Sequence, residues 1–191
     1  MKSHTTTKLR LTFRPLEKAD FALFARWLGK PHVQKWWREP ATVEHVAAEY
    51  GACTDGDMTT RVYVVQADGK PIGIVQCYAA ASYPEWAKLF PEEALSMASI
   101  DYLIGEEDYV GRGVGTQMIR EFVERVVRPV YPEATGVVTS VEIENGPSLG
   151  ALRKAGFGEG GIITGEYGTP ERVMMLRFGF APKQPSNGGY E

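Results

Sequence analysis

Apolar and polar positions along this chain change period several times, and each change marks an element. Residues 9–16 alternate well enough for a first strand, which Pro15 ends. Phe21, Phe24, Ala25 and Leu28 recur at helical spacing, predicting a helix over 17–28 that Gly29 and Pro31 stop. Val43, Val46, Ala47 and Tyr50 share a second helical face over 42–50, with Thr42 as its N-cap. The β-rich runs 61–67 and 71–78 flank Asp68 and Gly69 and read as a hairpin. Gln76 and Tyr78, two apart, share one face of its second strand. Segment 80–97 holds Pro84, Trp86, Phe90 and Pro91 and is too long for a simple connection, so it reads as a functional loop or flap.

Residues 99–104 form a short apolar strand carrying one carboxylate. Asp101 and Leu103 face one side, and Ile100, Tyr102 and Ile104 the other. Gly111, Gly113 and Gly115 follow, and then Met118, Ile119, Phe122, Val123, Val126 and Val127 line a helix face that Pro129 and Pro132 end. A strand over 135–141, a helix over 148–154 closed by Gly156, and a hairpin of 158–164 with 171–178 complete the pattern. No repeat or linker divides residues 1–181, which are expected to form one domain. Residues 182–191, rich in Pro, Gly and polar side chains, are expected to be a disordered tail.

Composition narrows the picture. A chain of 191 residues can bury a substantial core. A net charge of -3 gives no support to nucleic-acid binding, and no apolar run is long enough to cross a bilayer. The N-terminus lacks the apolar segment of a secretory signal. Cys53 and Cys77 form no metal-type spacing and no disulfide framework, so a reduced cytoplasmic protein without a metal is expected.

Candidate chemistry concentrates around the glycines. A strand feeding a glycine loop that opens a helix presents first-turn N–H groups with no intrahelical partner, and the helix dipole favours an anion there. Glycine lets a phosphate approach the backbone. Glycine triplets also occur in turns without a ligand, so the loop alone leaves a nucleotide-binding protein open. Trp36 and Trp37 point in different directions on any regular element; they read either as one core and one surface residue or as faces for a cation or sugar. Glu106, Glu107 and Asp108 read as a solvated turn, and His32 and His45 receive no role. Glu85, Glu92 and Glu93 outnumber Lys88 in the flap, so the region around Asp101 leans acidic and suits a cationic ligand.

The order of elements, the loop from Gly111 to Gly115, and Asn145 followed by Lys154, Ala155, Gly156 and Phe157 resemble the GNAT acetyltransferase superfamily over about residues 9–178. Trp36, Trp37, residues 74–78 and residues 100–102 make it most similar to the bacterial aminoglycoside 6′-N-acetyltransferases. The resemblance implies an α+β (mixed α/β) fold: a central, mostly antiparallel twisted sheet of about seven strands with one splayed parallel pair, flanked by helices. It implies acetyl-coenzyme A as co-substrate. Backbone N–H groups of Arg112, Gly113, Val114, Gly115 and Thr116 would meet the pyrophosphate. The pantetheine arm would run by Leu103 and Ile104, and Asn145 would help hold it. The implied reaction is acetyl transfer to a primary amine of a small cationic molecule, an aminoglycoside 6′-amine first, hence a place in antibiotic resistance. A siderophore-type, lysine-type or protein N-acyltransferase is the runner-up, and a non-catalytic acyl-coenzyme A sensor a further alternative. A monomer or homodimer is expected.

The attacking amine must lose a proton, since an alkyl ammonium has a pKa near that of lysine, about 10.4. Asp101 is the candidate to orient it and accept that proton, directly or through water; the bland alternative is a structural ion pair. Trp36, Gln76, Tyr78 and Trp86 are candidates for the acceptor wall. Glu142, at the end of the neighbouring strand, would bind a second ammonium or else sit in an acidic turn with Glu144. Two departures from the family stand out. Leu152 occupies the position of the tyrosine that protonates the thiolate, and Val110 stands where the loop motif carries Gln or Arg, with Arg112 the possible replacement charge.

Overall fold

The computed structural model describes residues 9–179; the expected tail at 182–191 lies outside them. Seven strands form one sheet: β1 (Leu11–Pro15), β2 (Thr60–Ala67), β3 (Lys70–Ala79), β4 (Ala98–Ile104), β5 (Gly136–Glu142), β6 (Gly158–Thr164) and β7 (Pro170–Arg177). They lie in the order β1-β2-β3-β4-β5-β7-β6. Every neighbouring pair is antiparallel except β4 and β5. The hairpin turns at Asp68 and Gly69, both at positive φ (49° and 84°), the twist a two-residue turn requires.

The parallel pair is short. Ala98 opposes Val137 and Ser99 opposes Val138, and no pairing follows. Ser99, fully buried, donates its hydroxyl to Val138 O at 2.8 Å at the fork. Beyond it β4 and β5 splay, which leaves one edge of β4 unpaired. That edge belongs to the even-numbered residues. Gly105 N donates to Ile72 O on β3, and the Leu103 carbonyl is aimed at Gly73, where a Cβ would overlap it. By strand alternation, the main-chain groups of Tyr102 and Ile104 therefore face the opening.

The helices are α1 (Phe21–Leu28), α2 (Pro31–Gln34), α3 (Val43–Thr54), α4 (Pro84–Ala87), α5 (Val114–Phe122), α6 (Arg128–Val130) and α7 (Gly146–Ala155). They divide over the two sheet faces. Ile100, Met118, Phe122 and Leu152 pack on the α5/α7 side, together with Tyr102 and Ile104. Leu103 packs on the other side with Phe24, Trp27 and Leu28 of α1 and Val46 and Tyr50 of α3. The alternation expected for β4 is thus observed. The flap folds into 3-10 turns around α4, with Phe90, Ala94 and Met97 packed against Val138, Val173 and Met175.

Three local expectations need correction. Pro129 does not end the long helix: α5 continues through a π-turn at Val123–Val127 into α6, and Tyr131 N closes it on Val127 O. A π-turn bonds one residue further along and leaves a carbonyl without its regular donor, so a residue lacking N–H is accommodated there. In α3, Val46 and Tyr50 are buried but Val43 and Ala47 are exposed, since only one stripe of this helix meets α1. Glu106 is no solvated turn. Trp27 Nε1 (2.9 Å), Lys30 Nζ (2.9 Å) and, more distantly, Arg26 Nη2 (3.4 Å) all donate to it. These donors hold its carboxyl down at about 2, well below the ordinary carboxylate range. Among the described residues no helix is long and apolar enough to cross a membrane.

Candidate active site

The fork opens into a cavity of about 350 Å³, floored by Gln76 and Tyr78 of β3, Asp101 and Tyr102 of β4, and Thr139 to Glu142 of β5. Trp36 and Trp37 wall it from the turn after α2, Trp86 and Leu89 from the flap, and Gly165, Glu166, Tyr167 and Glu171 from the β6–β7 hairpin. Asn145 and Ser148, at the start of α7, complete it. Trp36, Gln76, Tyr78, Trp86, Asp101, Glu142 and Asn145, picked from five separate segments of sequence, therefore line one space.

Register explains the floor. Gln76 opposes Asp101 in the β3–β4 ladder, and its Nε2 donates to Asp101 Oδ2 at 3.0 Å. Asp101 is surrounded by protein yet partly open to the cavity, and burial pushes its pKa up. The Gln76 and Tyr78 hydrogen bonds oppose that rise, and the nearby charges of Glu171 and Glu39 reinforce it. With its amide nitrogen committed to Asp101, Gln76 leaves its Oε1 buried and without a partner. A buried acceptor of this kind is costly unless a donor arrives, and a bound ammonium or hydroxyl would be one.

The cavity lining carries five carboxylates, Glu39, Asp101, Glu142, Glu166 and Glu171, and no Lys, Arg or His. Three of them were not anticipated. Glu39 is fixed by three donors: Trp37 Nε1 at 2.6 Å, Tyr50 Oη at 2.7 Å and His45 Nε2 at 2.9 Å. This explains why Trp37 and His45 sit where they do, and it ties α3 to the cavity wall. Glu171 accepts from Ser140 Oγ at 2.6 Å across the β5–β7 ladder. Glu142 pairs with Arg38 at 2.7 Å, and the Arg38 guanidinium lies 4.8 Å from the Tyr167 ring centre. The expected acidic flap plays no part: Glu85 pairs with Lys88 and Glu93 with Arg177, and neither they nor Glu92 line the cavity.

The glycine loop is built as a helix start. Gly111 and Gly113 adopt left-handed φ of 74° and 79°, and a Cβ on either would meet nothing within 4 Å, so the loop is open on that side. Gly113 is the N-cap of α5, so the N–H groups of Val114, Gly115 and Thr116 are the first-turn donors. A Cβ on Gly115 would lie 3.7 Å from the Ala151 Cβ of α7 and from the Ile104 side chain. Arg112 is exposed at the loop. Leu103 does not offer the free strand edge, because its carbonyl faces β3; Tyr102 does, and Ile104 does through its N–H, its carbonyl accepting from His32 Nε2 at 2.9 Å. Asn145 caps α7 by accepting from Ser148 N at 3.2 Å.

A splayed parallel pair, a glycine-opened helix beside it and a capped helix beyond it are the frame of one acyl-transfer family, and residues 17–164 match the family described as acetyltransferase (GNAT) domain. The chain belongs to this family. As a GNAT acetyltransferase it draws its acetyl group from acetyl-coenzyme A. Aminoglycoside N(6′)-acetyltransferase type 1 of Klebsiella pneumoniae is 26% identical over 181 residues, covering 92% of this chain and 88% of the relative. The same figures hold for the enzyme of that name from Serratia marcescens. Among solved structures, aminoglycoside acetyltransferase AAC(6′)-Ib with coenzyme A and kanamycin is 27% identical, with a TM-score of 0.77, over 88% of this chain and 95% of that one. The geometry of this GNAT acetyltransferase fits the co-substrate: an open left-handed glycine loop, first-turn donors on α5 and an unpaired β4 edge leading into the cavity.

Proposed function

We propose that this protein transfers the acetyl group of acetyl-coenzyme A to a primary amine of a small polycationic molecule, with an aminoglycoside 6′-amine as first candidate. The observation that carries the reading is the cavity itself: several carboxylates, aromatic walls and no cation in the lining. Such a lining raises the local concentration of cations and rejects anions. The named relatives, aminoglycoside 6′-acetyltransferases at 26% identity, support the choice of acceptor. A lysine side chain offers one ammonium, whereas an amino sugar offers several at once, together with hydroxyl groups for Gln76 Oε1 and ring faces for Trp36 and Trp86.

Asp101 binds the reacting ammonium and takes its proton, directly or through a water. Burial raises its basicity toward that task. Glu39 and Glu171 meet the further ammonium groups, and Glu142 contributes through its pair with Arg38. Backbone donors of Arg112 to Thr116 hold the pyrophosphate, Tyr102 and Ile104 present the strand edge to the pantetheine arm, and Asn145 positions α7 beside it. The acetyl donor supplies an activated thioester, and strand N–H groups near the fork supply hydrogen bonds to its carbonyl oxygen. Residues 1–181 act as a single domain, in the cytoplasm, as a monomer or homodimer.

The test is thiol release from acetyl-coenzyme A in the presence of a panel of amino sugars, lysine and a lysine peptide, with the product's acetylated nitrogen assigned by NMR. Turnover is expected on kanamycin-type amines and not on the peptide. No turnover on any amino sugar would refute the acceptor assignment.

A further inference from the structure

The reaction leaves a sulfur that must end as a thiol, and α7 offers no proton where the family carries its tyrosine. Leu152 stands there, apolar and 0% exposed. One turn earlier on the same helix face is Ser148. Its Oγ lies 2.7 Å from Tyr102 Oη. Tyr102 reaches it from the opposite wall of the fork. Its main chain is on the free β4 edge, beside the proposed pantetheine track, and its side chain leaves the sheet on the α7 side. Both hydroxyls line the cavity next to Asp101 and Asn145.

We propose that Tyr102 takes the place of the absent helix tyrosine and gives its phenolic proton to the sulfur as the carbon–sulfur bond breaks. The electron pair of that bond goes to sulfur and the Tyr102 proton follows it. Ser148 returns a proton to the tyrosine oxygen in the same event, and cavity water, which receives the amine's proton from Asp101, restores Ser148. One N–H is lost and one S–H is made, with no other reactant. Burial, with a smaller contribution from the Asp101 charge, pushes the Tyr102 phenol up to about 12, so at neutral pH it is fully protonated. It is then a weaker acid than a thiol, ordinarily near 8.5, so the proton moves in concert with its replacement from Ser148 and no phenolate accumulates. The inference rests on the acetyl-coenzyme A site proposed above and is independent of which amine is the acceptor.

The experiment compares wild type with Tyr102→Phe and Ser148→Ala. The first readout needs no acceptor. The thiol of bound coenzyme A is titrated by thiolate absorbance, as a difference against protein holding desulfo-coenzyme A. Loss of one donor to the thiolate in Tyr102→Phe should raise its apparent pKa by about one unit. The second is steady-state transfer. Tyr102→Phe should lower kcat with acetyl-coenzyme A by about tenfold or more at unchanged KM, and Ser148→Ala by less. The loss should vanish with p-nitrothiophenyl acetate, whose thiolate departs without a proton. An unchanged bound-thiol pKa in a folded Tyr102→Phe protein that still binds coenzyme A would overturn the proposal, as would an equal loss with both thioesters. If wild type binds coenzyme A but acetylates no amino sugar, the acceptor reading alone fails and the titration still decides Tyr102. If wild type does not bind coenzyme A, the site reading and this inference fall together.

Discussion

Replacing Glu106 by Gln removes the charge that joins the end of β4 to α1. The carboxylate is 20% exposed and accepts from Trp27 and Lys30, both at 2.9 Å, with Arg26 at 3.4 Å. A fall from an ordinary 4.5 to about 2 corresponds to about 3.4 kcal/mol at about 1.36 kcal/mol for each pH unit. That figure is a ceiling. Arg26 is itself mostly exposed and Lys30 partly so, so solvent screens both, and the amide of Gln can still accept from Trp27. The expected loss is about 1–2 kcal/mol at pH 7. The sign of its pH dependence follows from the depressed pKa. The contribution is complete above about 4.5 and fades as pH falls toward about 2. Urea unfolding of both proteins at pH 7 and pH 3.5 checks it: the difference between them should shrink at the lower pH. No difference at pH 7, or an equal difference at both, would refute the assignment of Glu106 as a charged tie.

Asp101→Asn should lower turnover about a hundredfold or more while leaving the fold as stable at pH 7, or more so. Its pKa is raised, so ionisation opposes folding as pH climbs out of the carboxylate range, and the neutral amide escapes that cost while keeping Gln76 as donor. Full activity, or a lower melting temperature at pH 7, would contradict this. Gly105→Ala should cost about 1–3 kcal/mol, since its Cβ would overlap the fully buried Trp27 indole and loosen that ring's bond to Glu106; the melting temperature of the variant tests it.

The strands, the hairpin turn and the glycine-opened helix were legible because each depends on a local period or a backbone need. Alternation placed Ile100, Tyr102 and Ile104 on one face and Leu103 on the other, and Gly69, Gly111 and Gly113 take the positive φ that glycine permits. What escaped was pairing between distant segments. Glu106 reads as part of an acidic turn until Trp27 and Lys30 are brought some 80 residues along the chain to meet it. Leu103 was expected to offer its edge to a ligand because strand direction, but not which edge is free, can be read from one strand alone. Pro129 was expected to stop a helix because propensity carries no sign of a π-turn before it.

The same limit explains the acidic cavity, and it bears on how the site discriminates. Counting charges along the chain pointed to Glu85, Glu92 and Glu93, but two of these are neutralised by exposed partners and none faces the cavity. The carboxylates that do face it come from the turn after α2, from β4, from the end of β5 and from the last hairpin, so only the closed sheet assembles them. Four of the five are held, each differently. Glu39 is locked by two side-chain N–H groups and a phenol, Glu171 by a serine, Glu142 by a guanidinium, and Asp101 by the Gln76 amide and the Tyr78 hydroxyl. Asp101, whose burial outweighs the Gln76 and Tyr78 hydrogen bonds and opposes its charge, gains from an arriving ammonium. Glu39, Glu142 and Glu171, each already held by a donor, would favour a cation without needing to move. On the proposed reading, a polycation would be drawn in by the outer carboxylates and anchored at the inner one, beside the fork.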